Sequence, residues 1–136
     1  MIRRLSLLAV LAVAAVSGCG GGETEFAGTT PVSLDGVWSG TAQRSQGGES
    51  TCPGPTPLVL TIANTVVRGE VRDRRNRTVT VSRFDAIVDA DGRIVARAWY
   101  DSISNDLSLQ YNGSRITGRI TNPLECIYNV RLSRDR

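Results

Sequence analysis

The chain has 136 residues, room for one domain, with 16 basic residues (all arginine), 13 acidic residues and no histidine. Without histidine, Ser-His-Asp and Cys-His nucleophilic sites are excluded, and a zinc site has too few ligands. The formal charge of +3 partly belongs to Arg3 and Arg4. Setting residues 1–18 aside leaves 14 basic against 13 acidic side chains, so bulk charge makes no case for nucleic acid.

Residues 1–4 carry the two arginines, and residues 5–16 form an apolar run broken by Ser6. Small residues then lead to Cys19. This is the charged, apolar and cleavage-site order of a secretory signal over residues 1–18. The run is too short to span a hydrocarbon core of roughly 30 Å as a helix.

Val16-Ser17-Gly18-Cys19 resembles the lipobox of bacterial lipoproteins. The resemblance implies cleavage before Cys19, lipid on its thiol, and a membrane as partner through that lipid. Gly20 follows in place of aspartate, which in Gram-negative members implies an outer-membrane lipoprotein of the cell envelope facing the periplasm. In that oxidising compartment Cys52 and Cys126 form an even pair and are expected to bridge. Two free thiols or a metal pair are the alternatives.

Residues 20–34 are rich in Gly, Thr, Glu and Pro and have little to bury, so residues 19–34 read as a lipidated tether. If coil-like, it reaches roughly 20 Å. Residues 35–136 form the domain. Period-2 alternation between Gly, Asn, Asp and Pro punctuation predicts strands near 37–43, 57–63, 66–72, 78–89, 93–100, 107–111, 115–121 and 126–133. A bulge is expected around Arg83. Leu58, Leu60 and Ile62 share one face; Leu107, Leu109 and Tyr111 share another, as do Tyr128, Val130 and Leu132. One buried and one wet face is the antiparallel pattern.

Residues 58–72 align without gaps on 107–121, superposing Leu60 on Leu109 and Gly69 on Gly118. Each copy reads as a hairpin, with Asn112-Gly113 as the central pair of a tight turn. Gly40, Gly69 and Gly118 mark bends. Eight strands running up and down, closed so that the first strand lies between the second and eighth, bring Cys52 to Cys126. The fold class is therefore an all-β, eight-stranded up-and-down barrel closed by one disulfide.

Gly36-Val37-Trp38 resembles the G-x-W signature of calycin barrels such as lipocalins and avidins. In lipocalins an arginine of the last strand packs over that tryptophan and closes the barrel bottom, which implies this role for Arg131 or Arg134. The chain is also similar in export, anchor, size and strand pattern to lipoprotein inhibitors of lysozyme and of secreted metalloproteases.

Other chemistry is sparse, and no catalytic residue, metal or cofactor is expected. Asp89-Ala90-Asp91-Gly92 lacks the remaining ligands of a calcium loop and reads as a turn. Asp85 with Asp89 reads as solvated strand positions rather than a glycosidase pair. Arg68, Arg72, Arg74, Arg75 and Arg77 form an arginine group, a candidate patch for a polyanion or an acidic partner. The reading is a non-enzymatic binding module, an inhibitor or interaction domain for an envelope protein. Alternatives are a small hydrophobic-ligand carrier and a structural envelope lipoprotein. A projecting loop over residues 44–57 on a filled barrel would favour the first, and a deep apolar cavity the carrier.

Overall fold

The computed structural model describes residues 33–136. The predicted signal, Cys19 and most of the predicted tether lie outside the described residues. Among those described there is no helix. There are eight strands: β1 (Gly36–Gln46), β2 (Thr56–Ala63), β3 (Val66–Arg72), β4 (Thr80–Ile87), β5 (Arg93–Tyr100), β6 (Ile103–Tyr111), β7 (Ile116–Thr121) and β8 (Ile127–Arg134). They form one antiparallel sheet in the order β4-β3-β2-β1-β8-β7-β6-β5.

The sheet curls into a nearly closed barrel, with β1 between β2 and β8 as expected. The two ends of the sheet, β4 and β5, meet without a continuous ladder. They share the Val88–Ile94 bridge and a hydrogen bond from the Ser82 hydroxyl to the Trp99 carbonyl. Closure by side chains and one bridge thus replaces the full hydrogen-bonded closure expected from eight strands.

Alternation sets the two faces. Leu58, Leu60, Ile62, Val67, Phe84, Ile94, Leu107, Leu109, Ile116, Tyr128, Val130 and Leu132 point inward and are buried. Among the described residues no charged or polar one shares that core, so its stability rests on apolar burial, at roughly 25 cal/mol per Å² removed from water. The two aligned hairpins have the same register: Leu60 pairs with Gly69, and Leu109 with Gly118. At Gly118 the strands approach so closely that a Cβ would lie 2.1 Å from the Ser108 carbonyl oxygen. At Gly69 the space is taken by the Phe84 ring.

Three local expectations differ. The two-residue turns with positive φ at both centres are Asn64-Thr65 and Asp101-Ser102. Asn112 instead precedes its turn, and its side-chain carbonyl accepts the Ser114 and Arg115 amides, which draws it out of the central position. The irregularity of β4 falls at Val81, because Val71 pairs with Ser82 but Arg72 with Thr80. The folded part also reaches back past Asp35: Leu34 packs on the core, and Ser33 accepts a hydrogen bond from Arg134.

Candidate functional site

The two ends of the barrel differ in the size of the side chains filling them. At the end carrying the β2–β3, β4–β5 and β6–β7 turns, Trp38 is 2% exposed. Its indole nitrogen donates to the Leu34 carbonyl at 2.8 Å. Tyr111 meets it edge-on at 5.8 Å between ring centres. The Arg134 guanidinium lies 4.7 Å above the ring and donates to the Ser33 carbonyl. Arg131 does not reach the tryptophan. Strand alternation turns it outward between Thr41 and Thr117, where it is exposed. Three residues further along β8, Arg134 lies beside Trp38 in register.

At the opposite end the inward positions of β1 and β5 are Ala42 and Ala98. Both short side chains line a cavity of about 450 Å³ that opens at this end. Its depth is apolar, walled by Leu58, Val71, Leu107 and Ile120, with Tyr128 alongside. Burial pushes the Tyr128 hydroxyl above the ordinary tyrosine range, while the nearby Arg74 and Arg44 cations pull it partly back. The rim is polar, formed by Ser50, Thr51, Thr56, Arg74, Asp101 and Asn122. Every connection at this end contributes a residue to it.

Within residues 44–57, whose projection would favour the inhibitor reading, the β1–β2 connection (residues 47–55) is folded down. Cys52 is fully buried and disulfide-bonded to Cys126, 74 residues away. The Cys52 amide donates to the Gly48 carbonyl at 2.7 Å, and its carbonyl accepts from Arg44 at 2.9 Å. Gly47 has φ of +110°, and a Cβ there would overlap the Cys52 sulfur. Glycine is what lets the chain turn back over its own disulfide. Pinned this way, Glu49 to Thr51, Pro53 and Gly54 line the cavity mouth.

The arginine group does not form one patch. Arg72 is committed to Glu70 at 3.0 Å and to the Arg77 carbonyl. Arg83 shares that carboxylate at 3.6 Å. Arg68 faces outward across from Asp85. Arg75 and Arg77 lie exposed in the β3–β4 loop. Arg74 alone turns into the mouth, its Nε donating to Thr56 Oγ1 at 3.2 Å. The loop's geometry explains the split: the Asp73 carboxylate accepts the Arg75 and Asn76 amides at 2.8 and 2.7 Å. That holds a tight bend which sends residue 74 one way and its neighbours the other. No protein-family model matches the chain, and no curated protein is significantly similar to it. The site is therefore read from its chemistry alone.

Asp89-Ala90-Asp91-Gly92 folds as a turn, with the Asp89 carboxylate accepting the Asp91 and Arg93 amides at 2.9 Å each. Among the described residues no three His, Cys, Asp or Glu side chains converge as metal ligands. Asp85 faces outward from β4, while the Asp89 carboxylate is occupied by its own turn. The cavity itself was not foreseen in position. Its one sequence signal is the pair of alanines, Ala42 and Ala98, at inward positions of β1 and β5.

Proposed function

We propose that the chain is a membrane-tethered binding protein that takes up a small, largely apolar molecule at the open end of its barrel. The observation that carries this reading is the 450 Å³ cavity, apolar in depth and polar at its rim. Concave sites of this size and lining are the usual form of small-molecule pockets, which run from roughly 300 to 1,000 Å³. The folded-down β1–β2 loop adds to it, since the disulfide stiffens a wall of the mouth rather than a projecting probe.

The lipobox resemblance supplies the tether. The first described residues, Ser33 and Leu34, accept hydrogen bonds from Arg134 and Trp38 at the filled end. The carrier reading thus stands ahead of the inhibitor one. The test uses residues 1–136 with Cys19→Ser, purified without detergent, and titrated with the neutral fluorophore N-phenylnaphthylamine. Saturable binding is expected, and Ile120→Trp, which fills the cavity, should abolish it. Absence of saturable binding, or its persistence in Ile120→Trp, would remove the proposal.

A second reading, protein interaction, draws on the outer wall at the β4–β5 seam. Val66, Ile87, Val95 and Trp99 are 49%, 68%, 64% and 62% exposed there. Val66 pairs with Ile87, next to the Val88–Ile94 bridge that joins the two strands of that seam. Affinity capture from an envelope extract would support this reading if one partner were recovered reproducibly and lost with Ile87→Asp.

A further inference from the structure

We propose that the molecule held at the mouth is a single-tailed amphiphile with an anionic head, a carboxylate or a phosphate monoester, whose charge is met by Arg74. This rests on the ligand-binding reading above and names the class of ligand it takes.

The cavity carries a chemical gradient along the barrel axis. Its strand-borne wall is mainly hydrocarbon from Leu58, Val71, Leu107 and Ile120, with Asn105 and Tyr128 as its polar members and no charged group among them. Charge enters only at the rim, and the cations there are not equally engaged. Arg44 pairs with Glu49 at 3.3 Å. Elsewhere Arg72 and Arg83 pair with Glu70, and Arg97 with Asp106. Arg74 has no carboxylate within 4 Å among the described residues, and its Nε is spent on Thr56. Its two terminal amino groups are left to face whatever enters.

That placement is held rather than incidental. The Asp73 carboxylate grips two amides of the loop, and its own amide donates to the Val79 carbonyl at 2.9 Å. Thr56 fixes the guanidinium from the neighbouring strand. Of the acidic residues at the mouth, Glu49 is engaged by Arg44, and Asp101 sits in an exposed turn. The mouth therefore presents Arg74 with no carboxylate within 4 Å among the described residues, alongside the carboxylates of Glu49 and Asp101.

A guanidinium stays charged, and covering it with a neutral or cationic head would strip its water without replacement. A carboxylate or phosphate instead accepts two parallel N–H bonds from it. The volume of about 450 Å³ holds on the order of 15 non-hydrogen atoms at about 30 Å³ each. That suits a medium-length chain with its head at the rim.

The test displaces N-phenylnaphthylamine from the Cys19→Ser chain with four matched ten-carbon probes below their aggregation limits: decanoate, decyl phosphate, decanol and decyltrimethylammonium. At least one anion should bind tenfold or more tighter than decanol, with an advantage that shrinks as salt rises, and the cation should bind weakest. Arg74→Gln should bring the anions to within about twofold of decanol, the loss falling on the anions far more than on decanol, in a chain shown by circular dichroism to be folded. Anions no tighter than decanol, or an advantage that survives Arg74→Gln, would overturn the assignment of the head group while leaving the cavity reading intact. Failure of all four probes, with no saturable fluorophore binding, would overturn both.

Discussion

The filled and open ends of this barrel use the same strands and the same alternation, yet one is a plug and the other a cup. At the filled end a tryptophan is met by Tyr111, Arg134 and a backbone carbonyl, so each of its polar and apolar surfaces has a partner. At the open end two alanines leave the inward layer short, and the gap is roofed by a loop that a disulfide pulls down. The difference teaches that side-chain volume at a few inward positions, not topology, decides where a small barrel can hold a ligand. It also separates the roles of the ends, since stability should concentrate at Trp38 and binding around Arg74.

The largest test of that separation is Trp38→Ala. Large-to-small changes at buried aromatics cost roughly 3–5 kcal/mol, and here the edge contact with Tyr111 and the stacked Arg134 go as well. A loss of about 5 kcal/mol is expected by denaturant titration, with Trp38→Phe costing less. Under conditions where either variant remains folded, fluorophore affinity at the other end should change less than twofold. A parallel loss of affinity would show the two ends to be coupled.

Removing the disulfide by Cys52→Ser with Cys126→Ser should act on both ends of the ledger. Releasing a closed loop of 74-residue separation costs about 4 kcal/mol on the chain-entropy account. Unlike Trp38→Ala, it also frees residues 47–55 from the mouth, so ligand affinity should fall at a temperature where the variant is still folded. Circular dichroism melts alongside fluorophore titration would separate the two effects. A stability loss with unchanged affinity would mean that the loop is not a working wall of the cavity.

How much of this was legible beforehand follows the same division. The barrel wall could be read because alternation is a local signal: Leu58-Leu60-Ile62 and Tyr128-Val130-Leu132 each declare a buried face within five residues. The gap-free alignment of 58–72 on 107–121 carried its register into the structure, with each glycine opposite its leucine. The paired cysteines were legible because both fall at one end of an up-and-down count. The open end was not, since each of its determinants is nonlocal. Arg74 reads as one of five arginines until Thr56, 18 residues earlier, and the Asp73 bend divide them. Ala42 and Ala98 look like ordinary core until the barrel brings them to one layer. The seam falls between β4 and β5 because they are the last strands in the sheet order, a property of the whole count rather than of either strand. Strand β4 is apolar on both faces, with Phe84 inward and Val81 and Ile87 outward and exposed.

The smallest effect, and the one that best isolates the open end, is the alkaline behaviour of Tyr128. In the unfolded chain its hydroxyl ionises near the ordinary value of about 10. In the folded protein burial raises it, with Arg74 and Arg44 opposing. An acid whose folded value lies above its unfolded one contributes stability that is complete below about pH 10. As pH rises past that point the unfolded chain loses its proton first, and the contribution is lost until the folded group also ionises. Tyr128→Phe should therefore leave the pH dependence of stability unchanged below about pH 9 and flatten it above pH 10. Removing Arg74 should strengthen the wild-type trend, because one of the two opposing cations goes. Denaturant midpoints measured from pH 8 to 11.5 for the parent, Tyr128→Phe and Arg74→Gln chains would show this. If Arg74→Gln left the alkaline limb where it was, Arg74 would not be facing Tyr128 across the mouth, and the head-group assignment would lose its geometric support.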